Sequence, residues 1–277
     1  MSHILIVGLG DLGAGLAQRL VAAGHRVSGI RRGTVAPSGV ELYSQDLFTG
    51  VALLPPDPVD VLVIVLTPSE YSEAGYLNAF VRAPKTVLDG LAQQQPLPPV
   101  VFVSSSAVFG DVDGEVDEAT PPRPSRYNGR VLLAAEEELS VRSHATMVRF
   151  SGIYGPGRRR LLDKAVAIAR GEQPWPAPAW TNRIHRDDAV GVLNEVVEQW
   201  LAGHGAALPS LINGTDNASA VNIEVLAWLA REQGFEVSPP EGEASGKRLI
   251  GRFIERGGYH LKYPDYQAGY RDVLAKS

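Results

Sequence analysis

The stretch Ile4-Leu-Ile-Val-Gly8-Leu-Gly10-Asp-Leu-Gly13 limits the chain's choice of fold more than any other. An apolar run breaks into closely spaced glycines. Ala14 to Ala23 then reads as a helix, Gly24 ends it, and Arg26 to Ile30 reads as a second strand. A strand, a glycine turn and a helix in that order make a seat for the pyrophosphate of a dinucleotide. Gly8 suits the tight turn, Gly10 admits a phosphate against the backbone, and Gly13 lets helix and strand pack closely. The unpaired amides of the first helical turn, at Asp11, Leu12 and Gly13, would face the phosphates. At the end of the second strand a carboxylate would accept from a ribose 2′-hydroxyl, but Arg31 and Arg32 stand there. Two guanidiniums suit a 2′-phosphate, so NADP is expected with NAD as the alternative, unless both arginines are solvated surface charge.

With 277 residues, 44% apolar and 21% charged, the chain suits one large α/β domain, or a nucleotide domain with a smaller cap. A net charge of −5 gives no general attraction to nucleic acid or anionic lipid. The absence of cysteine excludes disulfides, thiolate zinc sites and cysteine nucleophiles, and suits a reducing compartment. Met1-Ser-His runs straight into the first strand, and the longest apolar run, Val59 to Leu66, is too short for a bilayer. The expectation is a cytoplasmic protein with no membrane partner.

Further strands are predicted at Val40 to Tyr43, Val59 to Thr67, Pro99 to Ser104 and Thr146 to Phe150. Helices are predicted at Tyr71 to Phe80 and Thr86 to Gln94, with a break at Pro84, and at Arg126 to Val141. Alternating strands and helices imply a Rossmann-type, doubly wound parallel sheet over residues 1–155. Residues 156–277 read mainly as a small substrate-binding cap, with segments returning to the sheet. Its expected helices are Leu161 to Arg170, Asp187 to Trp200, Asn222 to Gln233 and a last one from Tyr266.

Four motifs then follow in order: Val103-Ser-Ser-Ser-Ala-Val-Phe-Gly110, Arg126-Tyr127-Asn128, Val148-Arg-Phe-Ser-Gly-Ile-Tyr-Gly-Pro-Gly157 and Asn182-Arg-Ile-His-Arg-Asp-Asp188. That order resembles extended short-chain dehydrogenases/reductases, and more narrowly an atypical subgroup of the NAD(P)-dependent epimerase/dehydratase family. The resemblance spans nearly the whole chain, including Lys247-Arg248 and Tyr263-Pro264. It implies a catalytic tyrosine at Tyr127 and a catalytic serine at Ser105. It also implies an adenine contact at Asp46 and cofactor-facing strand ends at Leu66, Thr67 and Ser104. Ser151, Ile153 and Tyr154 would pass the nicotinamide, with Ser106, Tyr154, Arg183 and His185 toward the substrate. The implied substrate is a small polar carbonyl or carbinol compound, by family analogy a sugar nucleotide. The family's habit of pairing through two long helices implies a homodimer.

A phenol that ordinarily ionises near ~10 must give or take a proton beside the substrate oxygen, and a nearby hydroxyl can hold that oxygen. The family places a lysine one helical turn after the tyrosine; this chain has Val131. Arg130 either supplies the missing positive charge or points to solvent. Two functions stay open: an NAD(P)-dependent oxidoreductase or epimerase/dehydratase with a weakened apparatus, and a non-catalytic NADP(H)-binding sensor or scaffold. Arg158-Arg-Arg160 either contacts an anionic substrate, through Arg158 first, or opens a solvated helix. Trp175 and Trp180 either wall a substrate pocket or pack the cap. Asp111 to Asp117 lacks the glycine and terminal acid of a calcium loop and reads as a solvated active-site loop. The histidines show no metal spacing.

Overall fold

The computed structural model describes residues 1–276, the side chain of Thr49 excepted; Ser277, the end of the last predicted helical stretch, lies outside the described residues. In chain order the strands are β1 (His3–Val7), β2 (Arg26–Arg31), β3 (Val40–Ser44), β4 (Val61–Ile64), β5 (Val100–Ser105), β6 (Gly114–Val116), β7 (Ala145–Phe150), β8 (Gly152–Tyr154), β9 (Trp180–Thr181), β10 (Arg183–His185), β11 (Leu211–Gly214), β12 (Ala220–Val221) and β13 (Lys247–Leu249). The α-helices are α1 (Asp11–Ala22), α2 (Glu73–Leu77), α3 (Ala83–Ala92), α4 (Tyr127–Arg142), α5 (Arg160–Ala169), α6 (Arg186–Leu201), α7 (Asn222–Glu232), α8 (Arg252–Glu255) and α9 (Tyr266–Ala275). The chain forms two compact units. The first comprises Met1–Gly110, Pro121–Arg149 and Val190–Ile212; the second comprises Asp111–Thr120, Phe150–Ala189 and the residues from Asn213 onward.

The first unit is built on a seven-stranded sheet of order β11-β7-β5-β4-β1-β2-β3. β1 lies parallel to β2 and β4, β2 to β3, and β4 to β5. Ile4 to Val7 and Val61 to Ile64 are at most 1% exposed, because a parallel sheet is covered on both faces and its strands must be apolar on both. From β1 the chain steps outward to β2 and β3, then returns to the other side of β1 for β4 and β5. The strand order therefore reverses between β1 and β4. Register pairs Val7 with both Ile30 and Ile64, so three carboxyl ends finish level at that switch point.

The predicted break at Pro84 is absent. α2 continues through a π-turn at Asn78–Arg82 directly into α3. Pro84 has no N–H to give to the carbonyl of Phe80, and the wider turn accommodates its ring without ending the helical path.

In the second unit α5 and α7 pack together, burying Leu162, Ala165 and Ile168 with Val225, Leu226 and Leu229. β8 and β10 run parallel, pairing Gly152 with Arg183 and Tyr154 with His185. The acidic loop at Asp111 to Glu118 keeps Asp111, Asp113 and Glu115 exposed, as a solvated loop should, but it is also tied down. Its β6 pairs in parallel with β13, Gly114 against Lys247 and Val116 against Leu249. Asp113 accepts from the Gly246 amide, Asp117 pairs with Arg252 at 3.2 Å, and Glu118 accepts the amides of Asn213 and Arg252, each at 3.0 Å. Asp113, Asp117 and Glu118 thus take partners more than ninety residues away in sequence, which a local reading has no means to find. Among the described residues no helix is long and apolar enough to cross a membrane, and no group of histidines and acids is placed to hold a metal ion.

Candidate functional site

The glycine turn sits at the switch point. Gly8 has φ +104°, and a Cβ there would lie 2.0 Å from the Val65 carbonyl oxygen at the end of β4. A Cβ on Gly13 would lie 2.0 Å from the Gly8 carbonyl oxygen, so this glycine lets α1 press onto the turn. A Cβ on Gly10 would meet nothing within 4 Å. Gly10 is also the N-cap of α1 and supplies no side-chain acceptor, which leaves the helix's first amides for an outside anion. Two glycines that backbone requires and one that faces open space are what a bound pyrophosphate needs, so the residues present fit a dinucleotide.

Beside this turn lies a cavity of about 300 Å³ lined by Gly8, Gly10, Arg31, Arg32, Asp46 and Thr67 among others. Leu66 also lines it; Asp11, Leu12 and Gly13 do not, and Leu12 is buried beneath. Asp46 accepts the Phe48 amide at 3.0 Å and so caps the short 3-10 turn Leu47–Thr49 that walls the cavity. Arg31 donates from Nη1 to the Val35 carbonyl at 2.8 Å, while Arg32 is exposed. Sequence reasoning missed several wall residues, Gln45, Phe48, Ala79 and Ala83 among them. Gln45 clamps Leu53 through both amide atoms, at 2.6 and 2.7 Å, and Phe48 covers the opening. Ala79 and Ala83 come from the π-turn and the start of α3, where a small side chain leaves the space open.

The proposed acid/base group lies in the same unit. Tyr127 opens α4 and donates its hydroxyl proton to the Tyr71 carbonyl at 2.8 Å. Its ring meets Tyr76 edge-on at 5.5 Å; Tyr76 packs on Phe80 at 5.3 Å, and Phe80 on Phe102 of β5 at 6.3 Å. Ser105 ends β5, and its Oγ accepts the Ala107 amide at 3.2 Å, capping the 3-10 turn Ser106–Phe109. A Cβ on Gly129 would lie 2.5 Å from the Ala107 carbonyl oxygen, so α4 rests directly on that turn. Ser104 Oγ is buried and has no hydrogen-bond partner among the described residues. Val131 is 5% exposed and faces inward. Arg130 is exposed and donates to the Ser125 carbonyl at 3.0 Å, back along the chain from α4.

The other expected residues belong to the second unit, and most are buried there. Ser151 donates to the Gly214 carbonyl at 3.2 Å, and Ile153 pairs with Ile184 between β8 and β10. Tyr154 stacks on Tyr270 at 4.5 Å; burial first, then the Asp216 carboxylate, pushes its phenol well above the usual range. His185 is fully buried between Tyr154 and Tyr263, at 5.3 and 4.0 Å. Its Nδ1 accepts the Asp187 amide at 3.1 Å, Nε2 has no partner among the described residues, and burial holds the ring below the ordinary imidazole value, hence neutral. Arg183 donates to Thr181 Oγ1 at 2.6 Å and lies 5.6 Å above the Tyr266 ring. Arg158 is exposed near the Ile153 carbonyl at 3.5 Å, and Trp180 on β9 carries the Arg248 guanidinium 5.5 Å above its ring. Asp216 was not singled out from the sequence, yet burial raises its carboxyl to about 7.

A doubly wound sheet with a glycine turn at its switch point defines a Rossmann-type protein. The chain belongs to the NAD dependent epimerase/dehydratase family, whose model matches residues 4–190. It is 29% identical to Protein YeeZ of Escherichia coli (strain K12), over 96% of this chain and 97% of that one. A provisionally assigned NAD-dependent epimerase/dehydratase from Methylobacillus flagellatus is 36% identical with a TM-score of 0.82, covering 99% of this chain and 98% of its own. MoeE5 in complex with UDP-glucose and NAD shares the fold at 19% identity and a TM-score of 0.76, covering 99% and 98%.

Proposed function

We propose that the chain binds NADP(H) and acts as an oxidoreductase or epimerase on a small polar carbonyl or carbinol substrate, of which a sugar nucleotide is the class that MoeE5 exemplifies. One observation carries this: the glycine turn opens at the switch point onto a cavity edged by Arg31 and Arg32. The α1 amides and Gly10 hold the pyrophosphate, Asp46 and Phe48 flank the adenosine end, and the two arginines take the 2′-phosphate. When bound, the nicotinamide gives or accepts hydride. Tyr127 hands a proton to the substrate oxygen or takes it away, and the Ser105 hydroxyl, still a free donor while its oxygen accepts from Ala107, steadies that oxygen. Taken by itself, the second unit offers Arg183 as the cation for an anionic ligand group.

Val131 favours a second reading, a dinucleotide sensor without turnover. Its buried isopropyl group has no charge to offer the phenol, and Arg130 is engaged with the Ser125 carbonyl. Thermal unfolding with NADPH tests what both readings share: stabilisation of several degrees at saturating cofactor is expected, and none removes both. Carbonyl-dependent NADPH oxidation, present in the wild type and lost in Tyr127→Phe, supports the enzyme. Tight binding with no oxidation across a broad carbonyl panel supports the sensor.

A further inference from the structure

We infer that Asp216 decides how firmly Arg183 holds an anionic ligand, acting on the guanidinium through its charge. The inference rests on Arg183 being the anion contact. The main chain of Asp216 is held to that of Arg183: its amide donates to the Arg183 carbonyl at 2.8 Å, and Thr215 Oγ1 donates to the same oxygen at 3.3 Å, while the carboxylate acts on the guanidinium through space. Both residues are nearly out of water, at 4% and 7% exposure. Oδ1 of Asp216 accepts the Ala218 amide at 3.0 Å, but Oδ2 is buried with no partner among the described residues. A carboxylate in that position interacts with the nearby guanidinium at low effective dielectric, where charge acts strongly.

The surrounding groups leave Asp216 as the charge that changes. Tyr154 on β8 and Tyr270 on α9 are both held protonated by burial, the second with its phenol raised to about 12. Asp265 and Tyr266 stand at the start of α9, and Asp188 at the start of α6 faces Tyr154. Burial lifts the Asp216 carboxyl to about 7, so it loses its proton within the physiological range. Below that point Arg183 presents an unopposed positive charge. Above it, the buried carboxylate offsets part of the guanidinium's charge through space and repels a second anion. Anion affinity at Arg183 therefore falls as pH rises through neutrality, and Asp216 is a positioning and selectivity group rather than a contact.

UDP-glucose is the probe, because its diphosphate stays fully ionised across the range. Calorimetric titration at pH 6, 7 and 8 compares the wild type with Asp216→Asn, Asp216→Ser and Arg183→Gln. Wild-type affinity is expected to fall about tenfold from pH 6 to 8, the scale of one buried charge interaction partly relieved by the surroundings. Asp216→Asn keeps the Ala218 bond and should bind tightly at every pH, with Asp216→Ser repeating the result if the amide disturbs folding. Arg183→Gln should bind weakly throughout. If the Asp216 variants keep the wild-type slope, the inference is overturned while Arg183 stands as the contact. If UDP-glucose fails to bind, or binds Arg183→Gln as it binds the wild type, Arg183 falls and the inference falls with it.

Discussion

Arg31 and Arg32 are adjacent in sequence but differently placed. Arg31 braces its own loop, donating to Val35 and lying where a Cβ on Gly33 would come 3.2 Å from its Nε, while Arg32 is exposed at the cavity edge. Under the proposed reading a 2′-phosphate would gain charge-assisted bonds from both, whereas a 2′-hydroxyl would gain little from either. Replacing both with alanine should weaken NADPH binding about tenfold to a hundredfold, the worth of one or two such bonds, and NADH binding far less. Fluorescence titration with each nucleotide checks this, and equal losses would refute the assignment to the 2′-phosphate. These arginines were legible because the position after a second strand is fixed by a local pattern. Asp216 was not. Nothing near Asn213-Gly-Thr-Asp marks an acid for burial; that follows from β10 and α9 arriving from distant parts of the chain.

α4 carries Tyr127 at one end and a buried ion pair along its length. Glu136 receives Nε and Nη2 of Arg149 from β7 at 3.0 and 2.6 Å, with the two side chains only 7% and 5% exposed. The same guanidinium lies 4.8 Å over the Phe109 ring, in the turn that Ser105 caps. One cation therefore ties together the helix of the phenol, strand β7 and the turn of the serine. Glu136→Leu strands a charge in the core and should cost about 3–5 kcal/mol, whereas Glu136→Leu with Arg149→Met should recover most of it, because an apolar pair needs no compensation. Urea unfolding of the two variants measures the difference; equal losses would mean that the pair is not the source. The helix itself was legible from its ends and its apolar spacing. The ion pair was hidden, because Glu136 stands in a run of three glutamates and only its facing strand distinguishes it. The π-turn was misread as a break for a related reason: a proline signals a missing bond without saying whether the helix stops or widens.

Each unit is assembled from separated parts of the chain, and this has a consequence for any attempt to isolate the nucleotide half. The contiguous stretch 1–155 contains the glycine turn, the cavity and both hydroxyls, yet it lacks Val190–Ile212, which belongs to the same unit. That segment carries most of α6 and the start of β11, and Val190, Val192, Leu193, Val196 and Val197 along it are no more than 3% exposed. The contact is close: a Cβ on Gly15 in α1 would come 3.1 Å from Val190. Burial of a Val or Leu side chain contributes about 1.5–3 kcal/mol, so removing five of them forfeits on the order of 10 kcal/mol. A domain of this kind is stable by only about 5–15 kcal/mol in total. A fragment of residues 1–155 should therefore show no cooperative thermal transition by circular dichroism and should not be stabilised by NADPH. A fragment that melts cooperatively and binds the nucleotide would mean that α6 is a dispensable cover rather than part of the core.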